Sequence, residues 1–249
     1  MSKYLLTLIV SALSCAAYAD NLKEKADSAY LREKYDDAIA LYDSLAAVEG
    51  SSVEVYYNLG NCYYKLDDMA RAVLNYERAL LLSPGDEDIR VNLELARSKT
   101  IDKIVPHHEV FLVTWWRSFV NLTGADLWSV LSIVFFVAML ALVFMYLFAS
   151  SVWLQKSGFY GGFVMLLCCI VTNICAWQQS ERREERSGAI VMSSSAVVRS
   201  TPSESGTDLF VLHEGTRVDI TDNSMREWKE IVLADGKKGW ISTSQIERI

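Results

Sequence analysis

The stretch from Ser52 to Pro84, SVEVYYNLGNCYYKLDDMARAVLNYERALLLSP, decides how the chain reads. Slid back by 34 residues it meets itself: Gly60 falls on Ala26, Met69 on Tyr35, Ala72 on Ala38, and Tyr76 on Tyr42. Small residues at Gly60 and Ala72 let two helices approach closely, Tyr63 and Tyr76 fill the space between them, and Pro84 stops the second helix. Helix pairs at this period bury their faces by stacking on neighbours, and they present a groove rather than a catalytic pocket.

Leu59-Gly60, Tyr63, Ala72, Tyr76, Ala79 and Pro84 together resemble a tetratricopeptide (TPR) repeat. The spacing predicts helices over 20–32, 36–48, 52–66 and 69–82, followed by a capping helix from Asp86 to Lys103. In that last helix Asp86 is the N-cap, and Ile89, Leu93 and Ala96 form the apolar stripe. Two repeats and a cap fall short of the roughly three units an isolated array needs. Either the membrane-proximal segment or a partner is expected to complete the packing.

With 249 residues the chain accommodates two domains, and 51% of it is hydrophobic, high for a soluble protein. The net charge of −7 argues against a nucleic-acid partner. Residues 20–105 carry 11 basic and 17 acidic side chains, against 7 and 9 in residues 187–249, so the acidity sits in the repeats. A solvated helical face accounts for it; a basic partner is the alternative.

Residues 1–19 read as a signal peptide: Lys3, an apolar run from Tyr4 to Val10, and Ala17-Tyr18-Ala19 before Asp20. Cys15 raises a lipoprotein alternative, but Ala12-Leu13-Ser14 fits a lipobox poorly. Cys62 alone of the cysteines lies in the exported part, so no disulfide framework is expected. It reads as a small packed residue rather than a reactive thiol.

Residues 104–126 form a Trp-rich linker in which Val110–Val120, with Trp115-Trp116 and Arg117, reads as a helix on the outer leaflet or one buried under the repeats. Residues 127–150 and 157–178 are uncharged and long enough to span hydrocarbon, with a turn around Gln155-Lys156-Ser157. Gly158 and Gly162 make a small-xxx-small face, and Trp128, Trp153 and Trp177 fit interfacial anchoring. Counting crossings from an exported start places both ends of the chain in the periplasm, on the inner membrane. The bias of positive charge runs the other way, since Arg182, Arg183 and Arg186 follow the second span while the tip carries only Lys156.

Beyond Gly188 the pattern changes to short strands: Ala189–Met192, Ala196–Arg199, Leu209–Leu212, Arg217–Thr221, Trp228–Leu233 and Gly239–Ile241, with a hairpin turn at Ala234-Asp235-Gly236-Lys237. These imply a small β-barrel. Val197-Val198-Arg199-Ser200 with Pro202, then His213-Glu214-Gly215-Thr216, Asp235-Gly236 and Gly239-Trp240-Ile241 resemble the bacterial SH3-like domain over residues 189–249. That resemblance implies binding of cell-wall peptides or proteins, with Arg199 at the position of the family's arginine. Arg199 and Trp240 are the candidate ligand contacts, a core role being the alternative for Trp240 and the favoured reading for Trp228.

No phosphate loop, nucleophile elbow or metalloprotease motif is present. His107-His108-Glu109, His213 and Cys62 lack the spacing of a metal or nucleophilic centre, so no enzyme, no cofactor and no metal are expected. In the repeats, Lys23 and Asn58 stand near positions of a carboxylate clamp, but Asp27 and Asp88 occupy others and would repel a carboxylate. Tyr30, Tyr57, Asn61 and Tyr64 instead suggest a mixed aromatic and polar groove for proteins or peptides.

The sequence therefore predicts a multidomain chain: an all-α TPR superhelix, a two-helix transmembrane hairpin and a small all-β SH3-like barrel. In domain order and motifs it resembles the BatE-type proteins of the aerotolerance (Bat) operon. That resemblance implies a non-enzymatic envelope scaffold working with von Willebrand A-type membrane proteins and a MoxR-type ATPase in stress tolerance. A cell-wall anchor that binds peptidoglycan peptides is the alternative.

Overall fold

The computed structural model describes residues 18–50, 52–105, 110–185 and 187–249. Most of the expected signal peptide, His107-His108-Glu109 and Arg186 lie outside the described residues. The chain forms two compact units, one drawn from residues 1–82, 86–108 and 186–249, the other from 83–85 and 109–185.

In the first unit five helices form the array: α1 (18–31), α2 (Tyr35–Glu49), α3 (Val53–Lys65), α4 (Met69–Leu82) and α5 (Glu87–Lys99). The 34-residue period is written into the backbone and the side chains alike. Each turn within a pair puts an acidic residue in the left-handed region, Glu33 at φ 61° and Asp67 at φ 62°. Each second helix sends a tyrosine hydroxyl back to the first, Tyr42 to Asp27 at 2.6 Å and Tyr76 to Asn61 at 2.7 Å. Tyr76 lies flat against Gly60, where a Cβ would stand 2.6 Å from two of its ring carbons.

Capping marks the helix starts: the Ser52 hydroxyl accepts from the Val55 N–H, and Asp86 accepts from the N–H groups of Asp88 and Ile89. Helix α5 ends at Lys99, four residues earlier than Lys103, because Lys103 Nζ folds back to donate to the carbonyls of Arg97, Ser98 and Thr100. Ala19 is fully buried within α1, beside Leu22 and Ala26 in the first core.

The C-terminal part is an antiparallel sheet of seven strands in the order β3-β2-β6-β5-β4-β1-β7. The strands are β1 (Gly188–Val191), β2 (Ala196–Arg199), β3 (Asp208–Leu212), β4 (Arg217–Asp222), β5 (Trp228–Val232), β6 (Lys238–Ser242) and β7 (Ile246–Arg248). Val191, Val198, Leu212, Val218, Ile231 and Ile241 close its core. The last strand, β7, has no counterpart among the six read from sequence; it follows a 3₁₀ turn and pairs with β1. This is a small all-β domain of the SH3-like kind.

The sheet completes the helical array, a role expected of the membrane-proximal segment or a partner. Ile190, Ile249 and Met192 join Val73, Tyr76, Ile89 and Leu93 in one apolar core. Strand β1 thereby packs against α4. The short segment after α5 straps the two parts together through Asp102 and Ile104.

In the second unit are α6 (Phe111–Val120), α7 (Ala125–Phe148) and α8 (Val152–Glu185). Helices α7 and α8 are long and apolar enough to cross a membrane. Their turn is at residues 149–151, not at Gln155-Lys156-Ser157. Three small residues suffice to reverse the chain, and Gln155 Nε2 donates to the Ala149 carbonyl from within α8. Lys156 is simply an exposed residue of the second turn of that helix. Helix α6 is bonded to the hairpin: Trp116 Nε1 donates to Gln178, and Trp128 Nε1 and Gln179 Nε2 both donate to the Val120 carbonyl. Phe111, Leu112 and Trp115 remain exposed on it, as suits a helix at an interface rather than one buried in a core.

Candidate functional site

First helices of TPR pairs carry the groove, and three of the four expected residues stand on α3. Tyr57, Asn61 and Tyr64 are spaced at three and four residues, which puts them on one helical face. All are half-buried. Asn92 on α5 was not singled out from sequence, yet it ties this face together. Its Nδ2 donates to the Tyr57 hydroxyl at 2.8 Å and to Asn61 Oδ1 at 3.3 Å. Asn61 Oδ1 thus accepts from Asn92 and Tyr76 at once. At the far end of the face, Lys99 Nζ sits 4.1 Å from the centre of the Tyr64 ring, a cation–π contact. Tyr30 is placed on α1 against Tyr35, edge to face at 5.5 Å, and burial raises its hydroxyl above the ordinary tyrosine value.

Two of the would-be clamp residues are engaged elsewhere. Lys23 pairs with Glu54 at 2.8 Å, and Asp27 accepts from Tyr42. Val91 and Leu95, one turn apart on α5, stay exposed beside Asn92. The surface is therefore aromatic, amide-rich and partly apolar. Cys62 is buried behind it, and burial pushes its thiol up to about 12, which removes thiolate at neutral pH.

On the sheet, Arg199 and Trp240 face each other across β2 and β6. Register also puts Glu230 opposite Trp240, so Glu230 and Trp228, two positions earlier on β5, share that outer face. Trp228 is half-buried, not a core residue. The inward place beside Ile231 goes to Lys229, whose ammonium donates to the carbonyls of Asn223 and Met225. The Arg199 guanidinium lies 5.9 Å above the Trp228 ring, 19% exposed, and donates to the Ser203 and Glu204 carbonyls while pairing with Glu204 and Asp208. It is held in place by its own loop. The guanidinium thus forms an ordered edge beside two half-buried indoles.

Between array and sheet lies a polar joint that sequence reasoning did not reach. Glu77 on α4, 4% exposed, accepts from Arg97 on α5 and from Arg217 on β4, the latter at 3.0 Å. That carboxylate holds the Arg217 guanidinium above its usual pKa. Nearby, Arg78 donates to Glu247 and to the Arg248 carbonyl. Asp102 receives the His213 N–H at 2.7 Å, the Thr216 hydroxyl at 2.7 Å and His213 Nδ1 at 2.9 Å. Burial alone would raise the Asp102 carboxyl; the bonds from Thr216 and His213 outweigh it and leave it below the ordinary range. Gly215, at φ 80°, passes so close to Thr100 that a Cβ would stand 2.6 Å from its methyl. Only glycine serves both demands.

Among the described residues no group of three or more His, Cys, Asp or Glu side chains is placed to hold a metal ion.

Comparison with known proteins matches these two parts separately. Residues 53–86 match the family model for the tetratricopeptide repeat, and residues 194–247 match that for the bacterial SH3 domain. Over 70 residues the chain is 30% identical to Tetratricopeptide repeat protein 16 of Homo sapiens and to the protein of that name from Macaca fascicularis. The match covers 28% of this chain and 8% of each of those proteins, so the likeness extends to a repeat segment alone.

Proposed function

We propose that this chain is a membrane-anchored, non-enzymatic scaffold of the bacterial envelope. Its TPR groove, at Tyr30, Tyr57, Asn61 and Tyr64 with Asn92, takes an extended segment of a partner protein. The observation that carries the reading is the shared core of Ile190 and Ile249 with Val73 and Tyr76, in a chain whose apolar helices α7 and α8 lie between those parts in sequence. Two crossings return the chain to the side from which it left. A repeat and a sheet that pack as one body fit that path, and this favours a common side over the contrary charge bias of Arg182, Arg183 and Arg186. Export by residues 1–19 makes that side the periplasm.

The order of parts is that of the BatE-type proteins, so we take the physiological partners to be von Willebrand A-type membrane proteins and a MoxR-type ATPase system in aerotolerance. Because the sheet caps the array, deleting either part would uncover apolar surface. The test therefore uses point variants of the full chain in its own membrane. Tyr57→Ala combined with Asn92→Ala should abolish crosslinked capture of the partner, and unchanged capture would refute the groove. An impermeant thiol reagent applied to intact cells should reach both Asp37→Cys and Ser205→Cys, and labelling of only one would refute the common side.

A second reading has its own support. The Arg199–Trp228–Trp240 face lies on a domain matched to the bacterial SH3 family and presents indole edges to a ligand. On this reading the sheet holds peptidoglycan peptides. Detergent-solubilised full chain should then sediment with purified sacculi, and Trp240→Ala should release it.

A further inference from the structure

In the second unit the Asn173 carboxamide stands where lipid would be its neighbour. Asn173 lies on α8 five residues before Gln178, about 8 Å inside the polar end of the span at 1.5 Å per residue. It is exposed on the helix surface. Among the described residues its carboxamide makes a single hydrogen bond, from Nδ2 to the buried Ser132 hydroxyl of α7 at 3.0 Å. A carboxamide has two N–H donors and an oxygen that accepts twice. In hydrocarbon that residual capacity is costly unless another protein group meets it.

Surrounding features single out this face. Cys169, Ile170, Asn173, Ile174 and Trp177 line an open groove of about 380 Å³. The glycine seam that usually brings transmembrane helices together is already spent within the hairpin. A Cβ on Gly158 would stand 2.8 Å from the Leu142 carbonyl oxygen and 2.9 Å from the Tyr146 nitrogen. Thr172, the neighbouring polar residue, is satisfied by the carbonyls of Cys168 and Cys169. Between Lys156 and Glu181 there is no charge to demand an ionic partner.

We propose that the Asn173 groove is a dimer interface, occupied by α8 of a second copy of this chain. The amide argues for self-association because donor and acceptor stand on one group, so two copies related by a two-fold axis exchange reciprocal N–H···O=C bonds between their Asn173 side chains. Ile170 and Ile174 flank the pair and fill the groove from each side, with Trp177 closing it at the headgroup level. A dimer built this way doubles the number of repeat grooves at one point of the membrane, which strengthens attachment to a clustered partner without any new contact in the groove. The proposal rests on the membrane reading of α7 and α8.

The experiment is a dilution series of the full-length chain in lipid nanodiscs or mild detergent, followed by sedimentation equilibrium, beside alkaline washing of membranes. The wild type should be dimeric, Asn173→Leu should weaken the dimer by about tenfold while staying in the washed membrane pellet, and Ser132→Ala should leave the dimer intact. A monomeric wild type, a dimer indifferent to Asn173→Leu, or a crosslink from Ile174→Cys to a different protein would overturn the proposal alone. Release of the chain by the alkaline wash would overturn the membrane reading and the proposal with it.

Discussion

Arg217 of β4 donates to the buried carboxylate of Glu77 on α4 across 140 residues of sequence, at 3.0 Å, and Arg97 takes the other oxygen. One anion thus bridges two cations from different parts of the first unit. Replacing Glu77 with Gln keeps the shape and leaves the two guanidinium groups side by side. Removing one partner of a buried ion pair costs about 3–5 kcal/mol. Because Arg217 is 45% exposed and partly hydrated, the loss here should be nearer 2 kcal/mol. Hydrogen exchange on the full chain reads it directly: amides of both α4 and β1 should lose protection in Glu77→Gln. Loss confined to α4 would mean the sheet docks without help from this joint.

Cys62 should behave as packing. Its thiol is pushed up to about 12 by burial, so iodoacetamide at pH 8 should label it only after unfolding. The sign of the linkage follows. A folded-state thiol that keeps its proton above the unfolded value, near 8.5, binds more protons than the unfolded chain between those two values. Stability therefore falls as pH rises through that window, and Cys62→Ala should flatten the fall. Rapid labelling of the native protein at pH 8 would overturn the packing role.

The 34-residue period made the helix pairs readable because each position repeats a packing demand: a small residue where helices cross, a tyrosine where they part. Asn92 falls one period after Asn58, so the repeat places it on α5, but the period says nothing of what it touches: its value lies in reaching across to Tyr57 and Asn61. Glu77 and Arg217 were invisible for a different reason, since each looks like an ordinary solvated charge until the sheet is laid on α4. Lys229 is the opposite case. Strand alternation assigns charged side chains outward, yet its long stem lies inside and its ammonium reaches the loop carbonyls of Asn223 and Met225. The hairpin is legible by length and composition; its turn is not, because small residues at 149–151 reverse the chain while the charged Lys156 continues the helix.

Asp102 ties the strap after α5 to the sheet and should make the joint acid-sensitive. Its folded-state carboxyl lies below the ordinary value, so the stability it contributes is complete above about pH 5 and is lost as pH falls through the folded value. Asp102→Asn removes the charge, leaving His213 and Thr216 facing an amide. The variant should be less stable than the parent at pH 7 by about 1–2 kcal/mol, and the gap should close on acidification. Thermal unfolding of the first unit at pH 7 and pH 3 measures both ends. A gap of the same size at both would show that charge at Asp102 contributes nothing.

Gly60 and Ala26 occupy equivalent places in the two pairs, yet they should tolerate substitution differently. At Gly60 a methyl would stand 2.6 Å from the Tyr76 ring, whose hydroxyl is pinned by Asn61 at 2.7 Å and cannot swing clear without losing that bond. Tyr76 is also enclosed by Val73, Ile89 and Leu93. Overpacking of this kind costs about 1–3 kcal/mol. Gly60→Ala should therefore destabilise despite alanine's better helix propensity, which would otherwise favour the change by about 1 kcal/mol. Adding Tyr76→Phe frees the ring from Asn61, so the double variant should lose less than the sum of the two single changes. A strictly additive pair, measured by thermal unfolding of the full chain, would show that the ring is held by the surrounding core and not by its hydroxyl.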